Sequence, residues 1–168
     1  MPEKYPTSIL KLSNALLLAA IYLIYKSLIF GLHLKELAVF AYFPPWPLLI
    51  VLSVMLGWDT FRRPAVLSFV EHFKINARFS LATAFFVSLC VWIYHKFIDI
   101  SAFQEMIELR LQAFQEGAGN ISQLTYQKNL SKVFNPFFYT TMTLSGLTAI
   151  GLLLSAGMAG LRIVFKRI

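Results

Sequence analysis

Four long, nearly uncharged apolar runs constrain this chain more than any other feature of it. They extend from about Ile9 to Gly31, Leu37 to Trp58, Phe79 to Ile98 and Phe137 to Val164. A bilayer core of about 30 Å is crossed by about 20 mostly apolar residues in a helix, and each run meets that length. No single soluble core could absorb them. The chain is 58% hydrophobic and 14% charged, with a mean hydropathy of +0.66. Soluble domains run about 45–50% apolar and about 25% charged. The expected fold is all-α: one domain over residues 1–168, a polytopic bundle of four transmembrane helices with an amphipathic helical loop between the third and fourth. Its sixteen Phe, seven Tyr and three Trp suit a surface that meets lipid tails and headgroups.

The runs differ in detail. Lys11 and Lys26 lie near the two ends of the first, where long side chains snorkel to the interface. The second contains Pro44, Pro45 and Pro47. Proline costs little in a first turn and about 3 kcal/mol inside a helix. Either a regular helix begins near Pro47 after an interfacial approach, or a kinked span is continuous; both readings stay open. Trp46, Trp58, Tyr25, Trp92 and Tyr94 fall at boundaries, as aromatic belts do. No small-residue cleavage site follows the first run, so it is expected to be retained.

Charge sets the expected orientation. With the N-terminus inside, the inner segments hold nine basic and three acidic residues, and the outer segments six basic and five acidic. Basic residues favour the cytoplasmic side, so both termini are expected there. The net charge of +7 thus reports topology; nucleic acid is not an expected partner.

The loop over 99–136 carries its own pattern. Ser101 followed by Gln104 is a capping-box signature, and Gly117 is placed to end the helix. Between them Phe103, Ile107, Leu111 and Phe114 recur at helical spacing opposite glutamates and glutamines. A second short helix is expected from Ser122 to Val133, ending before Asn135-Pro136.

The stretch Gly57-Trp58-Asp59-Thr60-Phe61-Arg62-Arg63, with Phe69-Val70-Glu71-His72-Phe73-Lys74 leading into the third span, resembles a family of bacterial proteins. The long amphipathic outer loop and Asn135-Pro136 before the fourth span resemble it too. The family is a "domain of unknown function" group of small four-helix inner-membrane proteins. The resemblance implies that topology and a bacterial inner-membrane location, and no activity, cofactor or catalytic residue.

Candidate sites are sparse. His33 and His95 are expected near the outer face and His72 in the inner loop, none paired with a second histidine at helical spacing, so a metal site is not expected. Lys26 is read as snorkelling, and no other charge stands mid-span, which disfavours ion coupling. The fourth span repeats small residues every four positions, Gly151, Ser155 and Ala159 beside Leu152, Ala156 and Gly160. Such stripes let helices approach closely; packing within the bundle accounts for them, and an interface with another subunit or a second copy is the functional alternative. Phe103, Ile107, Leu111 and Phe114 form a candidate contact surface, and Arg62, Arg63, Lys74 and Arg78 a candidate contact for anionic lipid headgroups. Cys90, the single cysteine, excludes an internal disulfide. No span offers a central histidine for haem, and no nucleophile-elbow, phosphate-loop, zinc-protease or dinucleotide motif is present. No cofactor is expected. Asn120-Ile121-Ser122 and Asn129-Leu130-Ser131 match the glycosylation pattern, incidentally for a bacterial chain.

The reading that follows is an accessory or structural membrane subunit, not an enzyme, acting through protein or lipid contacts. A small transporter or channel is the alternative, with a path along residues such as Asn14, Ser53, Ser80, Thr83 and Ser88. A membrane enzyme ranks third, for want of converging titratable groups.

Overall fold

Ser68 and Glu71 open the central helix of the molecule by a reciprocal cap. The Ser68 hydroxyl accepts the Glu71 N–H at 3.3 Å, and the Glu71 carboxylate accepts the Ser68 N–H at 2.8 Å. The structure, a computed structural model, describes residues 9–31, 46–63, 67–116 and 122–165. Among them are six α-helices and no strand: α1 Leu12–Gly31, α2 Trp46–Arg62, α3 Phe69–Ile93, α4 Ala102–Glu116, α5 Gln123–Val133 and α6 Pro136–Phe165. A single π-helical turn, Tyr94–Ile98, continues α3.

The third expected span therefore needs correction. Its helix starts at Phe69, ten residues before the expected Phe79, and His72 belongs to that helix and not to a loop. Among the described residues three segments are long and apolar enough to cross a membrane: α1, α3 with its π turn, and α6. At 17 residues, α2 reaches about 26 Å, shorter than a bilayer core. Residues 32–45, which hold Pro44, Pro45 and the first part of the expected second span, lie outside the described residues, as do Gly117 and Asn120.

The outer segment folds as two helices, as its caps require. Ser122 accepts the Thr125 N–H at 3.3 Å and starts α5. Asn135 joins α5 to α6 through both ends of its amide. Its Nδ2 donates to the Lys132 carbonyl at 2.7 Å, and its Oδ1 accepts the Phe138 N–H at 2.9 Å. Pro136 fills the first helical position, where a missing N–H costs nothing.

The helices pack with α3 at the centre, against α6 most extensively and α1 next. The face that α6 turns inward is Leu147, Gly151, Ser155 and Ala159, one residue in four. It lies against the face of α3 that carries His72, Asn76, Ser80, Thr83 and Val87. The approach is close: a Cβ added to Gly151 would stand 2.8 Å from that of Ser80. Ser80 and Ser155 hydroxyls meet across the contact at 3.1 Å. An apolar layer from four helices, including Ala19, Tyr22, Leu52, Leu56, Val87, Val91 and Leu147, fills the middle.

Polarity runs in reverse of a soluble protein. His72, Asn76, Ser80, Thr83, Asp59, Lys26 and His95 are buried, while Leu12, Ile21, Ile50, Val54, Phe85 and Leu153 are exposed. In water such an array of exposed large apolar side chains would drive association; lipid tails solvate them, and polar groups then face the interior. Between α1 and α2 the outer surface has an apolar groove of about 150 Å³ lined by Leu18, Tyr22, Tyr25, Pro47 and Val51.

Candidate functional site

Two polar clusters stand at opposite ends of the bundle. At one end α2 supplies the anchor. Asp59 accepts the backbone N–H of Ile9 at 2.9 Å and a forked pair of N–H groups from Arg63, with Nε at 2.7 Å. Arg63 reaches on to the His72 carbonyl at 3.4 Å, and Arg162 of α6 donates to the Arg63 carbonyl at 2.9 Å. Deeper, Thr60 and Asn76 bond side chain to side chain, with Asn76 Nδ2 donating at 2.9 Å. The start of α1, the end of α2, the start of α3 and the end of α6 are thus fastened together. Asp59, Thr60 and Arg63 come from the Gly57-to-Arg63 stretch, which acts here as a structural staple. Gly57 packs beside Met158, whose sulfur would be in ordinary contact, at 3.4 Å, with a Cβ placed there.

At the other end the π turn does the positioning. Along α3 the inward residues step by three or four: Ser80, Thr83, Val87, Val91, Tyr94. A π turn widens the helix by one residue, and here Tyr94 and the adjacent His95 are both buried, with the Asp99 N–H closing on the Tyr94 carbonyl at 2.9 Å. His95 is 2% exposed and Lys26 is 4% exposed. Lys26 Nζ lies 3.5 Å from His95 Nε2 and faces the rings of Tyr94, Tyr139 and Tyr22 at 5.0, 5.5 and 5.9 Å. Cation–π attraction strengthens when the cation is desolvated. Phe103 and Tyr139 rings close over the imidazole at 4.8 and 5.1 Å. Asp99, also buried, accepts from the Tyr94 hydroxyl at 3.3 Å.

This cluster corrects two readings of the sequence. Lys26 does not snorkel to the surface; it is enclosed, because it sits on the core-facing row of α1 with Ala15, Ala19 and Tyr22. His95 and His72 are not interfacial side chains but interior ones. His33 lies outside the described residues. Among the described residues no three His, Cys, Asp or Glu groups converge as a metal site would need.

The other candidates separate. Gly151, Ser155 and Ala159 are buried against α3 within the chain, while Ala156 and Gly160 are half-buried and Gly160 has open space beside it. Of the loop stripe, Phe103 is sunk into the bundle, Ile107 and Leu111 are half-buried, and Phe114 stacks on Tyr126 of α5 at 4.3 Å. Of the basic set, Arg62 lies over the Trp58 ring at 4.0 Å, and Lys74 and Arg78 are exposed one turn apart on α3. Arg63 is withdrawn into its ion pair with Asp59 and is not free for a headgroup.

The Lys26–His95 pair escaped sequence reasoning because its partners are 69 residues apart and a π turn leaves no periodic mark. A helical wheel of α1 does carry a signal: Lys26 falls four residues after Tyr22 and seven after Ala19.

Fold and clusters together define a small helical protein whose longest helices can cross a membrane, polar within and apolar without. The family of proteins of unknown function designated DUF4199 matches residues 13–162, and the chain belongs to it. Neither the curated proteins nor the solved structures compared with the chain give a match.

Proposed function

We propose that the chain is a four-span protein of the bacterial inner membrane with both termini cytoplasmic, acting as a non-catalytic accessory subunit through protein or lipid contacts. The carrying observation is the α4–α5 hairpin. It touches the bundle through its root, Ala102 and Phe103, and leaves Leu109 66% and Leu124 79% exposed. Large apolar side chains held on a helical hairpin are groups that a partner helix or a lipid surface covers. Convergence of Ile9, Arg63 and Arg162 at one end supports an even number of crossings, and Arg62, Lys74 and Arg78 at that end support its cytoplasmic assignment. Lys74 and Arg78 point outward, which suits anionic headgroups. Catalysis, a cofactor and nucleic acid have no part in this reading.

The test is photo-crosslinking in native membranes from a photoreactive residue at Leu109 or Leu124. A discrete protein or lipid adduct from either is expected; none from both contradicts the proposal.

A transporter or channel is the second reading, and Lys26 favours it, since an ionisable group inside a span marks a pathway by default. Against it, the Val87 and Val91 layer separates Ser80 and Thr83 from the Lys26 cluster. Proton or ion flux in proteoliposomes that Lys26→Met abolishes would favour transport over the subunit reading.

A further inference from the structure

His95 is where four elements meet. Lys26 of α1 approaches its Nε2 at 3.5 Å, Tyr94 of its own turn and Tyr139 of α6 flank its ring at 5.0 and 5.1 Å, and Phe103 seats α4 on it at 4.8 Å. With Lys26 as the ammonium, Nε2 accepts its proton, so the imidazole is neutral and carries its hydrogen on Nδ1. That Nδ1 is buried and has no hydrogen-bond partner among the described residues. One proton is shared over two basic nitrogens in a closed site.

We propose that Lys26 and His95 form a proton-binding site inside the bundle, and that loading a second proton onto it undocks the α4–α5 hairpin. A second proton removes the lone pair that accepts from Lys26 and sets an imidazolium beside an ammonium at 3.5 Å. Like charges at that distance in a poorly solvated site repel strongly. The groups around the imidazole offer limited relief. From α1 come Lys26 itself and Tyr22; from the π turn, Tyr94 and Asp99; from α6, Tyr139; from α4, the apolar Ala102 and Phe103. Asp99 is the carboxylate of that set, and it accepts from Tyr94.

Relief comes at the weakest boundary. α3 packs along α6 and α1 over their lengths, whereas α4 enters the bundle with its first turn, Ala102 and Phe103. Lifting Phe103 opens the imidazole to water and counterions and leaves the other helix contacts in place. This inference concerns the hairpin in the isolated protein and holds whether or not a partner binds it.

The experiment uses the full chain with Cys90→Ser, nitroxides at Leu109→Cys and Leu144→Cys, and phosphatidylcholine nanodiscs. A narrow distance distribution at neutral pH is expected to become longer and broader on acidification, with helical circular dichroism unchanged. His95→Gln and Lys26→Met are each expected to keep the neutral-pH distribution throughout. An unchanged distribution in the parent protein over the pH range where it stays folded overturns the proposal. So does persistence of the acid change in folded His95→Gln, which would assign it to Asp99 or to the hairpin's own carboxylates, or in folded Lys26→Met, which would show that the pair is not required. Imidazole nitrogen resonance on the parent protein gives a readout that needs neither variant: a histidine must convert from neutral to charged over the pH range in which the hairpin moves. Movement without that conversion also overturns the proposal.

Discussion

At Gly151 the backbone of α6 comes so near α3 that a methyl group would sit 2.8 Å from Ser80 Cβ. Overpacking of this kind costs about 1–3 kcal/mol, so Gly151→Val is expected to lower thermal stability in mild detergent by that amount. Gly157 has nothing within 4 Å of its Cβ position and lies in the same helix. There Gly157→Ala is expected to be neutral or to gain up to about 1 kcal/mol from helix propensity. Equal losses at both positions would mean that the stripe is not packed as described. Asp59 gives the second test at this scale. Truncating one member of a buried pair leaves a charge uncompensated, at about 3–5 kcal/mol. Asp59→Ala, which orphans Arg63 and the Ile9 N–H, should lose that much in detergent unfolding, whereas the exposed Lys74→Ala should change stability by less than about 0.5 kcal/mol.

Among the elements, Asn135 is the one-residue hinge between hairpin and span. Asn135→Ala removes the cap of α6 and the bonds to the last carbonyls of α5. A cost of about 1–2 kcal/mol is expected, with faster amide exchange in both flanking turns; a change confined to one helix would contradict the shared role. Helices α1 and α6 were legible in the sequence because their apolar runs end within a few residues of the helix bounds, and α5 because Ser122 and Asn135-Pro136 mark its two ends. The start of α3 was not, because Glu71, Lys74 and Arg78 lower the hydropathy of its first turns and mimic a loop. The signal that could have found it is Ser68-Phe69-Val70-Glu71, a capping box as plain as the one at Ser101. Once the helix begins there, His72, Asn76, Ser80 and Thr83 fall on one face at spacings of four, four and three, and the buried polar row becomes readable. The Lys26–His95 contact stays hidden even then, since hydropathy scores a residue by type and not by the direction in which it points.

Taken as a whole molecule, the chain fastens one end with the Asp59 network and hangs its hairpin from the other. The apolar middle joins the two, and its outward surface is Leu, Ile, Val and Phe. Everything proposed for the protein depends on that surface facing lipid. Nitroxides placed singly at Ile21, Phe85 and Leu153 in liposomes test it through their collisions with oxygen and with a water-soluble nickel chelate. High oxygen and low nickel accessibility at all three positions is the predicted result. Frequent nickel collisions at Phe85 and Leu153 would show the bundle to be surrounded by water and would contradict the account.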